Sequence, residues 1–152
     1  MGIHYFAYPL HPVFVDTAVS DPRTHLDSDE FHQFFMHGEP GLATLDLDKC
    51  WREMQGLFGS RPDRPSRPAH QLVEGEVTPA CCGWYGFYRA VTPAAMYAIA
   101  DDFAAVNDED IREALGPEAC ADNSYVQQML DRARNFTREV TRRGMGAVYH
   151  IG

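Results

Sequence analysis

From Asp122 to Gly144 the chain carries no proline, and Val126, Met129, Leu130, Ala133, Phe136 and Val140 recur at three- and four-residue steps. That period predicts one long helix, starting near Asp122 or Asn123, with an apolar stripe along one face. Arg138, Arg142 and Arg143 stand near its C-terminus, where cations complement the helix dipole. A stripe of this length must be buried against another element. Met145 to Ile151 follows at once, small and β-branched, and reads as a closing strand.

The rest of the chain supplies more of both kinds of element. Ile3 to Tyr8 has large residues on both alternating faces and reads as an interior strand; Trp84 to Val91, rich in aromatics, reads as another. It runs into Thr92-Pro93, an N-cap followed by proline at the first helical position. Met96, Ile99, Ala100, Phe103 and Val106 make the stripe of the helix that follows, and Asn107 or Asp108 caps a shorter one ending at Gly116-Pro117. Between residues 11 and 40, Pro12, Asp21-Pro22 and Glu39-Pro40-Gly41 leave room for short helices only, the best of them Ser28 to His37. Leu47, Cys50, Trp51, Met54, Leu57 and Phe58 mark a helix over 46–58, with Asp46 as its cap. Strands at the two ends and middle with helices between predict an α+β fold, a small sheet covered by helices, in a single domain spanning 1–152.

Thirteen basic against twenty-two acidic residues give a net charge of −9, which repels a phosphate backbone and argues against nucleic-acid binding. No stretch approaches the ~20 apolar residues of a membrane span, and the start lacks the pattern of a signal peptide, so the cytoplasm is the expected compartment. Cys50, Cys81, Cys82 and Cys120 show no C-x-x-C spacing and are expected to be buried structural thiols. No motif calls for a cofactor, and oligomeric state is left open. Asn135-Phe136-Thr137 matches a glycosylation sequon but falls on the long helix, where it carries no meaning for a cytoplasmic protein.

The residues that could carry function fall in three places. His25, Asp29, His32 and His37 sit in one acidic segment and are the weak candidates for a metal set, although their spacing matches no closed zinc pattern. Arg61-Pro62, Arg64-Pro65 and Arg67-Pro68 repeat every third residue over 60–70; a polyproline II backbone would bring Arg61, Arg64 and Arg67 to one edge, ready for an acidic or aromatic-lined partner. The third place is the start of the 46–58 helix. There Asp46 or Asp48 could act as general base while Lys49 and Arg52, beside Trp51, hold an anionic group.

Leu45-Asp46-Leu47-Asp48-Lys49-Cys50-Trp51, followed by Leu57-Phe58-Gly59, resembles the L-D-[IL]-D-K-x-W motif of the YfbM-like family of small uncharacterised bacterial proteins. The opening Met1 to Ala7, the join Tyr88 to Pro93, the pair Ile99-Ala100 and the ending Arg143 to Ile151 fall in the order that family shows. Residues 9 to 40 and 60 to 82 are unmatched. The resemblance implies a single α+β domain and no established activity. Family members often carry two histidines in the helix after the tryptophan; this chain has Arg52 and Gln55 there, so no role of those histidines carries over. With no catalytic constellation in the chain, the expected function is a non-catalytic binding or interaction module for a protein partner or small ligand. The alternatives are a small hydrolase or transferase at the start of the 46–58 helix, and an immunity-type protein that neutralises a basic partner.

Overall fold

The computed structural model describes residues 2–38 and 41–152. In chain order its elements are β1 (Tyr5–Leu10), α1 (Val15–Ser20), α2 (Pro22–Leu26), α3 (Asp29–His37), β2 (Leu45–Asp48), α4 (Trp51–Phe58), β3 (Thr78–Ala80), β4 (Gly83–Tyr85), β5 (Phe87–Val91), α5 (Pro93–Ala105), α6 (Asp108–Leu115), α7 (Tyr125–Arg142) and β6 (Gly146–Ile151). Glu39 and Pro40, read above as part of a break after the helix ending at His37, lie outside the described residues. The fold is α+β, as expected.

Four strands form one antiparallel sheet in the order β2-β1-β6-β5, so the two chain ends lie side by side at its centre. β6 is buried on nearly every residue because helices cover both faces. One face meets the main core, where Tyr5, Ala7, Ala147 and Tyr149 lie against residues of α4, α5 and α7. The other holds a smaller cluster of Leu26, Phe31 and Val148, with Tyr8, Phe35 and Tyr88 around it. The 3-10 turn Pro68–Leu72 and the residues just after it are tied to the sheet by two buried phenols: Tyr5 donates to Leu72 O at 2.6 Å and Tyr149 to Glu74 O at 2.8 Å. Burial pushes both hydroxyls well above the ordinary tyrosine value, so they remain donors.

Local chemistry sets most boundaries. Ser28, Thr92 and Ser124 each accept a backbone N–H in the first turn of α3, α5 and α7. Asn107 and Asp110 form a reciprocal capping box at the start of α6.

Three expectations are corrected. Residues 45–48 are a strand and not the start of a helix; α4 begins at Trp51 with Cys50 at its cap, and Asp46 caps nothing. The run Trp84 to Val91 is not one strand. It breaks at Gly86, leaving β3 and β4 as a separate two-stranded hairpin and β5 on the edge of the main sheet. The first strand is shifted toward its C-terminus and includes Pro9, which is tolerated because β2 pairs only Tyr5 to Ala7 and leaves β1 with one neighbour there.

Candidate functional site

The end of β2 gathers several predicted site residues. Asp48 adopts a left-handed backbone, φ 50°, a conformation that aspartate tolerates better than most residues. The Asp48 N–H donates to Asp46 Oδ1 at 2.7 Å, so Asp46 stabilises the turn and not a helix end. The Asp48 carboxylate takes a contact on each oxygen: His4 Nδ1 at 3.0 Å and the Tyr125 hydroxyl, which donates at 2.7 Å. Burial first, and the Asp48 carboxylate second, push the Tyr125 hydroxyl up to about 12. Lys49 is exposed. Trp51 is buried, its indole Nε1 donating to Ile3 O at 3.4 Å, and the Arg52 guanidinium lies 4.5 Å from its ring centroid. Gln55, where the family often has a histidine, donates to Val73 O and Gly75 O at 2.7 and 2.8 Å. His4 and Tyr125 were not singled out by sequence, because only the strand pairing and the start of α7 bring them to Asp48.

The Arg-Pro segment does not present three arginines on one edge. Arg61 and Arg64 bridge each other through backbone bonds of 2.9 and 3.1 Å, closing a tight turn that replaces the expected polyproline II run. Arg64 Nη2 donates to Leu57 O at 2.7 Å. Arg67 lies inward: its Nε and Nη2 donate to Asp102 Oδ1 at 2.9 and 2.6 Å, and its Nη1 reaches Asp110 at 3.1 Å. Asp102 Oδ2 also accepts the Ala69 N–H at 3.0 Å. Burial pulls the guanidinium pKa down, but the two carboxylates more than offset it and the net shift is upward. The segment latches α5 and α6 together.

His25, Asp29, His32 and His37 are not brought to one point. His25 is buried between the rings of Phe14 and Phe31, and burial lowers its pKa; Asp29, His32 and His37 are exposed. Among the described residues no group of three His, Cys, Asp or Glu side chains could hold a metal ion. The cysteines are likewise divided. Cys50 is buried and its thiol is pushed up to about 12, by burial first and then by Glu53 and Asp48, whereas Cys81 and Cys82 are exposed in the β3–β4 turn, contrary to the expectation of buried thiols.

A feature not foreseen from sequence is a cleft of about 590 Å³ between the Leu42–Asp46 segment and α7. Pro9, Leu42, Leu45, Phe136 and Val140 give it apolar walls, and Arg132 and Arg138 also line it. It opens just before β2 begins, where β1 beyond Ala7 has no partner on that side among the described residues. Arg138 stands on a ridge, because it also lines a groove of about 670 Å³ between α5 and α7, beside Tyr97 and Arg142. No helix among the described residues is long and apolar enough to cross a membrane.

Comparison with known proteins places the fold. No family model matches the sequence, and no curated protein does. A solved structure does match: YfbM from Escherichia coli, described as a protein of unknown function, superposes over 99% of this chain and 100% of its own with a TM-score of 0.55 and 19% sequence identity. At that identity the likeness bears on architecture alone. The superposition over nearly the whole of both chains shows that the chain has the YfbM fold.

Proposed function

We propose that the protein is a non-catalytic binding module whose ligand sits in the cleft between β2 and α7. The observation that carries this reading is the cleft itself. Its volume of about 590 Å³ lies in the range of small-molecule sites, and its walls combine an apolar surface from Pro9, Leu42, Leu45, Phe136 and Val140 with polar and charged side chains of α7 and β2. Several charged residues that the sequence offered as binding or catalytic groups support the same reading by their other employment: Arg64 and Arg67 hold the fold, and Asp46 holds a turn.

Amide chemical shifts of labelled protein titrated with octanol and octanoate test it. Shifts should concentrate on Leu42, Leu45, Phe136 and Val140 and disappear in Ala43→Trp, which fills the entrance. Absence of saturable shifts at the cleft with both probes overturns the reading.

A second reading, a small hydrolase or transferase, is favoured by one contact. His4 Nδ1 lies 3.0 Å from Asp48 Oδ1, the arrangement by which a carboxylate orients an imidazole for proton transfer. Turnover of an ester or phosphoester panel that His4→Gln abolishes with the fold intact would establish it.

A further inference from the structure

Resting on the cleft reading above, we infer that the ligand of the β2–α7 cleft is an amphipathic organic anion, an apolar body carrying a carboxylate that pairs with Arg132 or Arg138 at one end of the cleft. The argument is a comparison of the arginines on one helix. Arg134 pairs with Asp131 at 3.0 Å, and Arg142 and Arg143 both bind Glu139, at 2.6 and 2.7 Å. Arg132 and Arg138 differ: neither has a carboxylate within ion-pair distance among the described residues. Arg132 reaches only the Asp46 carbonyl, at 3.4 Å, and Arg138 only the Asn135 side-chain amide. These two are the α7 arginines that line the cleft together with its apolar walls.

A guanidinium offers five N–H donors in a fork matched to carboxylate oxygens, so each retains most of its donors for a ligand. Two guanidinium groups of one helix, neither of them balanced by a carboxylate, thus line one apolar hollow. The carboxylates there do not cancel them. Glu139 stays ionised, held at about 2 by its bonds from Arg142 and Arg143, and those two cations balance its charge; Asp46 engages the Asp48 N–H through Oδ1 and makes no ion pair with either arginine. Six residues of helix separate Arg132 from Arg138, roughly 9 Å along the axis, which puts them toward opposite ends of the cleft with the apolar wall between them. An anionic head at one end can therefore extend its apolar body toward the other.

The test compares octanoate with octanol, which share a chain and differ in charge, by titration calorimetry and by shift mapping. Octanoate is expected to bind about tenfold or more tighter than octanol, the difference expected of a charge-assisted bond. Arg132→Gln and Arg138→Gln, both exposed positions, should together bring octanoate to within about twofold of octanol while leaving octanol unchanged, as expected when only the charge-assisted term is lost. Arg112→Gln, on α6, should change neither. Equal affinity of the two probes in the wild type overturns the anion inference and leaves the cleft reading standing. Survival of the octanoate preference in the double variant also overturns it. If neither probe perturbs the cleft residues, the cleft reading itself has failed.

Discussion

Two neighbouring segments, 60–70 and 78–85, invert what their composition suggests. The first has three arginines, three prolines and two serines in close succession and reads as an exposed polyproline II edge; the second is uncharged, and its Trp84 and Tyr85 read as the start of a strand. In the structure the charged segment is tied down, with Arg67 side-chain exposure at 17% and its partner Asp102 at 10%. The aromatic one stands out as the hairpin β3–β4, with Trp84 60% and Tyr85 66% exposed. What decides burial here is not polarity but whether complementary partners exist elsewhere in the fold. Arg67 finds two carboxylates on α5 and α6, and the hairpin finds no helix to cover it.

The strongest way to break this contrast is Arg67→Met. It strands Asp102 in a half-closed site without its cation, and loss of one partner of a buried pair costs about 3–5 kcal/mol. Chemical denaturation should show a midpoint shift of that size, and a loss under about 1 kcal/mol would place Arg67 with ordinary surface ion pairs. Less severe is replacement of the carboxylates. Asp102→Asn should cost more than Asp110→Asn, because Asp102 receives Arg67 and the Ala69 N–H while Asp110 is 32% exposed. A double-mutant cycle of Arg67 with each aspartate separates the two couplings, and the Asp102 coupling should be the larger.

How much of this was legible in the sequence depends on the range of the interaction. The caps Ser28, Thr92 and Asn107 and the stripe of α7 act within a few residues, so the helices could be read directly. Leu45-Asp46-Leu47-Asp48 carried a strand's alternation, but Leu47 also fits the helical period of Cys50, Trp51 and Met54, and the longer period masked the shorter one. Gly86 was the available sign that the aromatic run divides. The partners of Arg67 could not be read, since Asp102 and Asp110 approach it only through tertiary packing. The cleft was not read from the sequence, although Asp131 before Arg134, and Glu139 before Arg142 and Arg143, are three- and four-residue spacings that leave Arg132 and Arg138 unmatched. Its apolar walls required the placement of β2 beside α7.

Acid sharpens the comparison, because His70 at the end of the 60–70 segment and two histidines elsewhere in the fold titrate in shifted environments. Burial lowers the pKa of His25, His70 and His150, with Arg89 adding to the effect at His70 and Arg23 at His150. A base whose folded pKa is depressed binds fewer protons folded than unfolded, so its stability contribution is present above the ordinary value of 6.5 and is lost as pH falls through the folded value. Unfolding free energy should therefore decline as pH drops below neutrality, and His25→Phe should flatten that decline. A second decline at lower pH follows as Asp21 and Asp110, whose pKa values are lowered in the folded state, take up protons. A stability curve flat from pH 7.5 to about 5 would remove the histidine contribution.

The smallest effect is expected at the hairpin, and it is the most discriminating. Trp84→Ser with Tyr85→Ser should change unfolding free energy by no more than about 0.5 kcal/mol, the range of substitutions at exposed sites, even though two large aromatic side chains are removed. The same pair of residues in a core would cost several kcal/mol each. Fluorescence provides an independent reading, since the chain has two tryptophans: Trp51 is 3% exposed and Trp84 60%. Acrylamide should quench wild-type emission in an accessible and a protected fraction, and Trp84→Phe should leave the protected fraction alone. If the double variant instead unfolds by several kcal/mol, or if Trp84 resists quenching in the free protein, the hairpin is folded against the body of the molecule. The contrast with the Arg67 segment would then reduce to a difference in charge alone.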